Sequence, residues 1–203
     1  MSLISNQDMI RRATLGDQLR RHAQHQPKKA AVIFYRPDGS REEVSYSELN
    51  GRANAFAAYL ELQGVKRGDC VAMMSRNSPD YVVAWYATLK LGASFTGVNF
   101  TFTEKEITYQ ISHADPKVMI VEDSFVGKFD NIKDQLTGIN AKVVSNTVAD
   151  TASKEWLRFS DVIKTHDRVE VDRMVSEDDI AMLIYTSGTE AFPKGVLIPH
   201  RNY

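Results

Sequence analysis

The sequence predicts an α/β fold, with strand and helix units alternating on a largely parallel sheet. Three observations carry the prediction. Short apolar runs alternate with helical patterns from about residue 45 to 121, the rhythm of strand–helix–strand units. The helical patterns open on recognisable caps at Ser45, Ser78 and Thr103. Finally, 203 residues of which 43% are hydrophobic suffice to bury a real core, as one large domain or two small ones.

Taken in order, residues 1–13 are expected to form a flexible N-terminus. Thr14 with Asp17 resembles a capped helix start, and Leu15, Leu19 and Ala23 follow at helical spacing, ending near His25 before Pro27. Residues 30–35 read as a strand, Pro37 to Gly39 as a turn, and residues 43–46 as an antiparallel return, forming a small edge sheet. Ser45 and Glu48 have the spacing of a capping box. Behind them Leu49, Ala53, Phe56, Ala57 and Leu60 make one apolar helical stripe, which Gly64 can close. A strand at 70–75 leads to Ser78 as N-cap and Pro79 at the first helical position, with the helix running to Leu91 and ending at Gly92. The strand at 93–98 follows, then a second capping box at Thr103 and Glu106, a helix to about His113, and a strand at 117–121. Residues 124–136 are expected to continue as a helix and 141–145 as a strand. From 146 to 177 the chain turns polar, with Trp156, Leu157 and Phe159 as isolated apolar anchors, so a surface connection with a short helix near 160–164 is expected. No internal repeat or low-complexity tract is evident.

Composition excludes several classes of function. The 25 basic and 26 acidic residues nearly balance, which argues against sequence-independent attraction to nucleic acid or an anionic membrane. Cys70 stands alone, so there is neither a disulfide framework nor a cysteine metal cluster, and a cytoplasmic setting is expected. Asp8, Arg11 and Arg12 make the N-terminus too polar for a signal-peptide core, and nowhere do eighteen apolar residues run together.

The stretch from 185 to 196 is hard to explain by folding alone. An apolar run, 180–185, breaks into Thr186, Ser187, Gly188 and Thr189, then Glu190, Ala191 and Phe192, then Pro193, Lys194 and Gly195, before Val196 resumes an apolar pattern. Glycine lets the backbone come close to an anion, hydroxyls add adjustable donors, and lysine supplies a mobile positive charge. On spacing alone, an ordinary polar turn is an equally good account. Lys194 lies between Pro193 and Gly195, whereas a Walker A loop needs glycine before its lysine and Ser or Thr after it. A GxGxxG dinucleotide fingerprint is also absent around the early strands.

The run from Tyr185 to Val196 resembles the phosphate-loop signature of the AMP-forming adenylating superfamily, which includes acyl-CoA synthetases, luciferases and nonribosomal adenylation domains. Further stretches are similar to that family's N-terminal half: 44–49, 64–69, 76–79, 89–93 and Asn99. Val98, Asn99 and Phe100, followed by Thr103 to Ile107, look more like acyl-CoA ligases, fatty-acyl-CoA ligases in particular, than like amino-acid adenylation domains, where an aspartate is usual near Asn99. The resemblance implies a small-molecule carboxylate substrate, a fatty or other organic acid, activated with ATP and Mg2+ to an acyl-adenylate and passed to coenzyme A. It implies that Thr186, Ser187, Gly188 and Thr189 hold the β and γ phosphates, with Gly195 in the same loop, while Lys194 neutralises them. Tyr185 is expected to pack the strand end, and His200 and Asn202 to cap a following helix.

Two departures stand out. Glu190 and Ala191 replace the family's frequent Thr-Gly, and a glutamate beside phosphates is unfavourable unless it points away or meets a cation. The chain also ends at Tyr203, so the later motifs, most of the acyl pocket and the small mobile domain with its catalytic lysine are expected to lie outside it. Residues 1–203 are thus expected to be the N-terminal part of the adenylating domain, inactive alone, with an exposed apolar face that promotes association of copies. The alternative is a non-catalytic binding or interaction module that kept the fold. His22, His25, His113 and His166 lack ligand spacing, the acidic run 177–179 reads as a turn, and Tyr81, Trp85 and Tyr86 read as packing.

Overall fold

The computed structural model describes residues 14–145, 155–186 and 193–203. The expected flexible terminus 1–13, together with Ser187, Gly188, Thr189, Glu190 and Ala191, lies outside the described residues.

Helix α1, Leu15–His25, starts where the Thr14 hydroxyl accepts the Asp17 amide at 3.3 Å. Strands β1, Ala30–Tyr35, and β2, Arg41–Ser45, pair antiparallel as a separate two-stranded sheet. β2 stops one residue short of the expected Tyr46 because Ser45 becomes the N-cap of α2, Tyr46–Leu62, accepting the Glu48 amide at 3.2 Å. The reciprocal half of this capping box is not what Glu48 is used for. Its carboxylate takes Arg52 at 2.7 Å and Arg168 at 2.8 Å, since two charged donors outcompete one backbone amide. The α2 stripe faces the core as its spacing requires: Leu49, Ala53, Phe56, Ala57 and Leu60 are all buried. Gly64, at φ +84°, turns the chain out of the helix in a conformation that side chains disfavour.

The main sheet has the strand order β7-β6-β5-β3-β4-β8-β9. β3, Cys70–Met74, is central and pairs in parallel with β4, Ser94–Gly97, on one side and β5, Val118–Glu122, on the other. α3, Pro79–Lys90, joins β3 to β4 and is capped by the Ser78 hydroxyl on the Tyr81 amide at 3.2 Å. α4, Glu104–Ala114, carries the complete capping box of Thr103 and Glu106. Because the chain steps from β3 to β4 and then crosses to β5 on the far side, the carboxyl ends of β3 and β5 form a topological switch point.

Three expectations need correction. Residues 124–136 form broken turns, with the short helix α5, Val126–Asp130, between two 3-10 turns, Asp123–Phe125 and Lys133–Gln135. Gly127, Asp130 and Asn131 are weak helix formers, and burying Phe129 and Ile132 against Trp156 decides the path. After β6, Ala141–Ser145, residues Leu157–Arg158 add an unexpected edge strand, β7, parallel to β6. Strand alternation therefore turns Leu157 outward, 53% exposed, while Trp156 and Phe159 are the buried anchors. α6, Phe159–Thr165, occupies the site of the expected short helix and sets Phe159 against Phe56, ring centroids 4.4 Å apart.

The connection from 166 to 179 is more than surface chain. Glu170 accepts from the buried Lys90 ammonium and from the Asn50 and Asn54 side-chain amides at 2.7 and 3.1 Å, latching this connection onto α2 and α3. Burial alone would raise the Glu170 carboxyl, but donation from Lys90 and Asn50 and the lysine charge outweigh it and hold it below its ordinary value.

Candidate functional site

The hairpin of β8, Ile180–Thr186, and β9, Lys194–Pro199, carries the phosphate-loop candidate. β8 lies parallel to β4 through Phe95 and Met182, so Thr186 emerges at the carboxyl edge shared by β3, β4 and β5, where open α/β sheets bind ligands. Thr186 and Lys194 face each other as the terminal register pair, both exposed. The Thr186 hydroxyl reaches the Lys194 carbonyl at 3.5 Å, so it remains able to turn to a stronger acceptor.

Gly195 has a packing reason for its small size. It sits opposite Tyr185, and a Cβ there would meet Leu183 Cδ1 at 2.9 Å, with His113 Cε1 and Tyr185 Cε1 each at 3.5 Å. Tyr185 packs the strand end: burial pushes its phenol up to about 12, and the hydroxyl lies 2.7 Å from His113 Nδ1.

The switch point holds a polar cluster that joins Arg76, from the family-like stretch 76–79, to Glu122, which no motif marks. Glu122, at the end of β5, accepts the Arg76 amide at 2.7 Å, the Arg76 guanidinium, and the Ser124 hydroxyl at 2.7 Å. Burial opposes the charge on Glu122, but these donors and the arginine hold its carboxyl below the usual value. The Arg76 guanidinium also lies 4.7 Å from the Phe125 ring centre and 5.5 Å from that of Phe100. Asn99 accepts the Thr101 amide at 3.0 Å, closing a turn that leads into α4.

His200 performs a cap different from the one expected. The 3-10 turn His200–Asn202 has no side-chain cap, whereas the buried His200 Nδ1 accepts the Leu15 amide, at 3.4 Å, and so closes the start of α1 from 185 residues away. Burial lowers the His200 pKa, keeping the imidazole neutral in a site where its Nδ1 must accept. Asn202 is exposed. In the acidic turn, Asp179 accepts the Ser176 amide at 2.9 Å and the Arg67 guanidinium at 2.7 Å, the contacts of a structural turn. Cys70 is buried and its thiol is pushed up to about 12 by burial, so thiolate chemistry is suppressed at neutral pH. Among the described residues no helix is long and apolar enough to cross a membrane.

The strand ends Thr186 and Lys194 thus lie together at the carboxyl edge of the sheet, and a family model described as AMP-binding enzyme matches residues 19–203. The chain belongs to the AMP-binding enzyme family. Among similar proteins, the indoleacetate–CoA ligase of Aromatoleum aromaticum is 29% identical over 185 residues, covering 91% of this chain and 34% of that protein. A medium/long-chain-fatty-acid–CoA/3-oxocholest-4-en-26-oate–CoA ligase of Mycolicibacterium smegmatis is 32% identical over 181 residues, covering 87% and 31%. The solved structure of an anthranilate CoA ligase in complex with anthranoyl-AMP superposes with a TM-score of 0.85 at 26% identity, covering 93% of this chain and 35% of that one. The chain therefore spans about a third of the length of the family members it matches.

Proposed function

We propose that this chain is the phosphate-gripping N-terminal portion of an AMP-forming acyl-CoA ligase, which joins a carboxylate to coenzyme A as ATP is cleaved to AMP and pyrophosphate. The observation that carries the reading is the pairing of Thr186 with Lys194 at the carboxyl edge of the sheet, flanking a connector that contains Ser187, Gly188 and Thr189. The AMP-binding family match and the CoA-ligase relatives support it.

In this reading the Thr186 hydroxyl and the neighbouring loop donors bind the β and γ phosphates, and the Lys194 ammonium balances their charge. Fixed donors of this kind lower the barrier by stabilising charge that moves onto departing pyrophosphate, without needing to reorganise during the reaction. Tyr185 takes no direct part and holds the strand end through His113. Magnesium accompanies ATP in the family resemblance; among the described residues no three His, Cys, Asp or Glu side chains gather, so none of them is assigned to it.

The test uses the longest open reading frame that contains this chain, assayed for thioester formation from ATP, coenzyme A and a panel of fatty and aromatic carboxylates. The wild type is expected to turn over, and Lys194→Ala to lower turnover about a hundredfold. Full activity in Lys194→Ala would remove the lysine from the mechanism. Absence of thioester with every carboxylate would favour the non-catalytic binding module instead.

A further inference from the structure

The mouth of the phosphate loop is held from the side. β8 is held to β4 by the register pair Phe95 and Met182 and by the Thr96 hydroxyl, which donates to the Leu183 carbonyl at 2.8 Å, and β9 has no strand beyond it among the described residues. Beyond Leu183 no register pair with β4 holds the outer end of the hairpin, and strand ends of that kind open readily. α4 supplies the contact. Tyr109 and His113 stand four residues apart, hence on one helix face, and their rings stack with centroids 6.1 Å apart. The Tyr109 hydroxyl donates to the Pro193 carbonyl at 3.3 Å, and His113 Nδ1 shares a 2.7 Å hydrogen bond with the Tyr185 hydroxyl. One helix face thus grips both sides of the mouth, and the carbonyl it holds belongs to the residue immediately before Lys194. Gly195 allows the close approach, since its missing Cβ leaves room for Leu183 and the His113 ring.

We propose that Tyr109 and His113 are positioning residues for the phosphate grip, pinning both strand ends so that the Lys194 side chain starts from a fixed point. The inference rests on the phosphate reading of the loop, and its test separates the two. In the ligand-free chain, Tyr109→Phe keeps the ring but loses the donor; amide exchange by NMR should quicken about fivefold at Thr186, Lys194 and Gly195 and stay unchanged in α4 and at residues 181–183. The dissociation constant for inorganic pyrophosphate, by calorimetry, should rise about fivefold in the same variant. His113→Ala should act similarly, and His113→Asn, which keeps a hydrogen-bonding group near the Nδ1 position, should restore most of the loss. Exchange and affinity both unchanged in Tyr109→Phe would overturn the proposal, as would a uniform rise in exchange across the sheet, which marks a merely structural role. Pyrophosphate binding that is absent, or indifferent to Lys194→Ala, would overturn the phosphate reading itself; the local exchange result alone then decides whether the clamp exists.

Discussion

The two wings of the main sheet are built to different standards. Every residue of β3 and β5 is buried, and each strand has parallel neighbours on both sides. In β9 residues 194–197 are exposed, among them Val196 and Leu197 at 44% and 61%, and Ile184 of β8 is 38% exposed. Burial of a large apolar side chain contributes about 1.5–3 kcal/mol, so stability is concentrated where the fold is made and is thin at the hairpin that carries the phosphate-loop candidate. Loops that bind ligands are commonly carried this way, on an adaptable margin of a rigid frame.

The largest loss of stability is expected at Phe56. It is fully buried and packed at a tilt against the Phe159 ring, so Phe56→Ala should cost about 3–5 kcal/mol in urea unfolding. An equal loss from a substitution in β9 would show that the wings are not unequal after all. Acid should act next. His200 and Glu170 both have folded-state pKa values below their ordinary 6.5 and 4.5, so each contributes stability above that value and loses it as pH falls further. Urea midpoints should therefore decline from near pH 6.5 downward, with His200→Gln flattening the upper part of the decline and Glu170→Gln the lower. Thr103→Ala removes the cap of α4 and should cost about 1 kcal/mol. The smallest change in stability, within about 0.5 kcal/mol, is expected from Leu197→Lys, but this variant should reduce self-association in light scattering because the exposed outer strand then carries a charge.

What was legible in the sequence was local. Ser78 before Pro79, Thr103 before Glu106 and the stripe from Leu49 to Leu60 each state their structure within a few turns of chain, and each forms as read. What was not legible depended on partners far away. Glu48 has the spacing of a capping residue yet spends its carboxylate on Arg168, 120 positions on, and His200 caps a helix 185 positions back. Lys90, between Leu89 and Leu91, was a visible signal, since a lysine in an apolar stretch needs a buried counter-charge; nothing in the sequence pointed to Glu170 as that partner. β7 is too short for any period to mark it. At the candidate site, the two strands follow from the apolar runs on either side of the loop, but the pairing of Thr186 with Lys194 as strand residues and the backing by Tyr109 and His113 do not, because they depend on how β8, β9 and α4 come together.

The central question is whether Lys194 meets phosphate. Phosphorus NMR of ATP titrated with this chain should show the β and γ resonances shifting or broadening while the α resonance changes less, and Lys194→Ala should abolish most of that response at equal concentration. An identical response in wild type and Lys194→Ala, or one confined to the α phosphate, would contradict it.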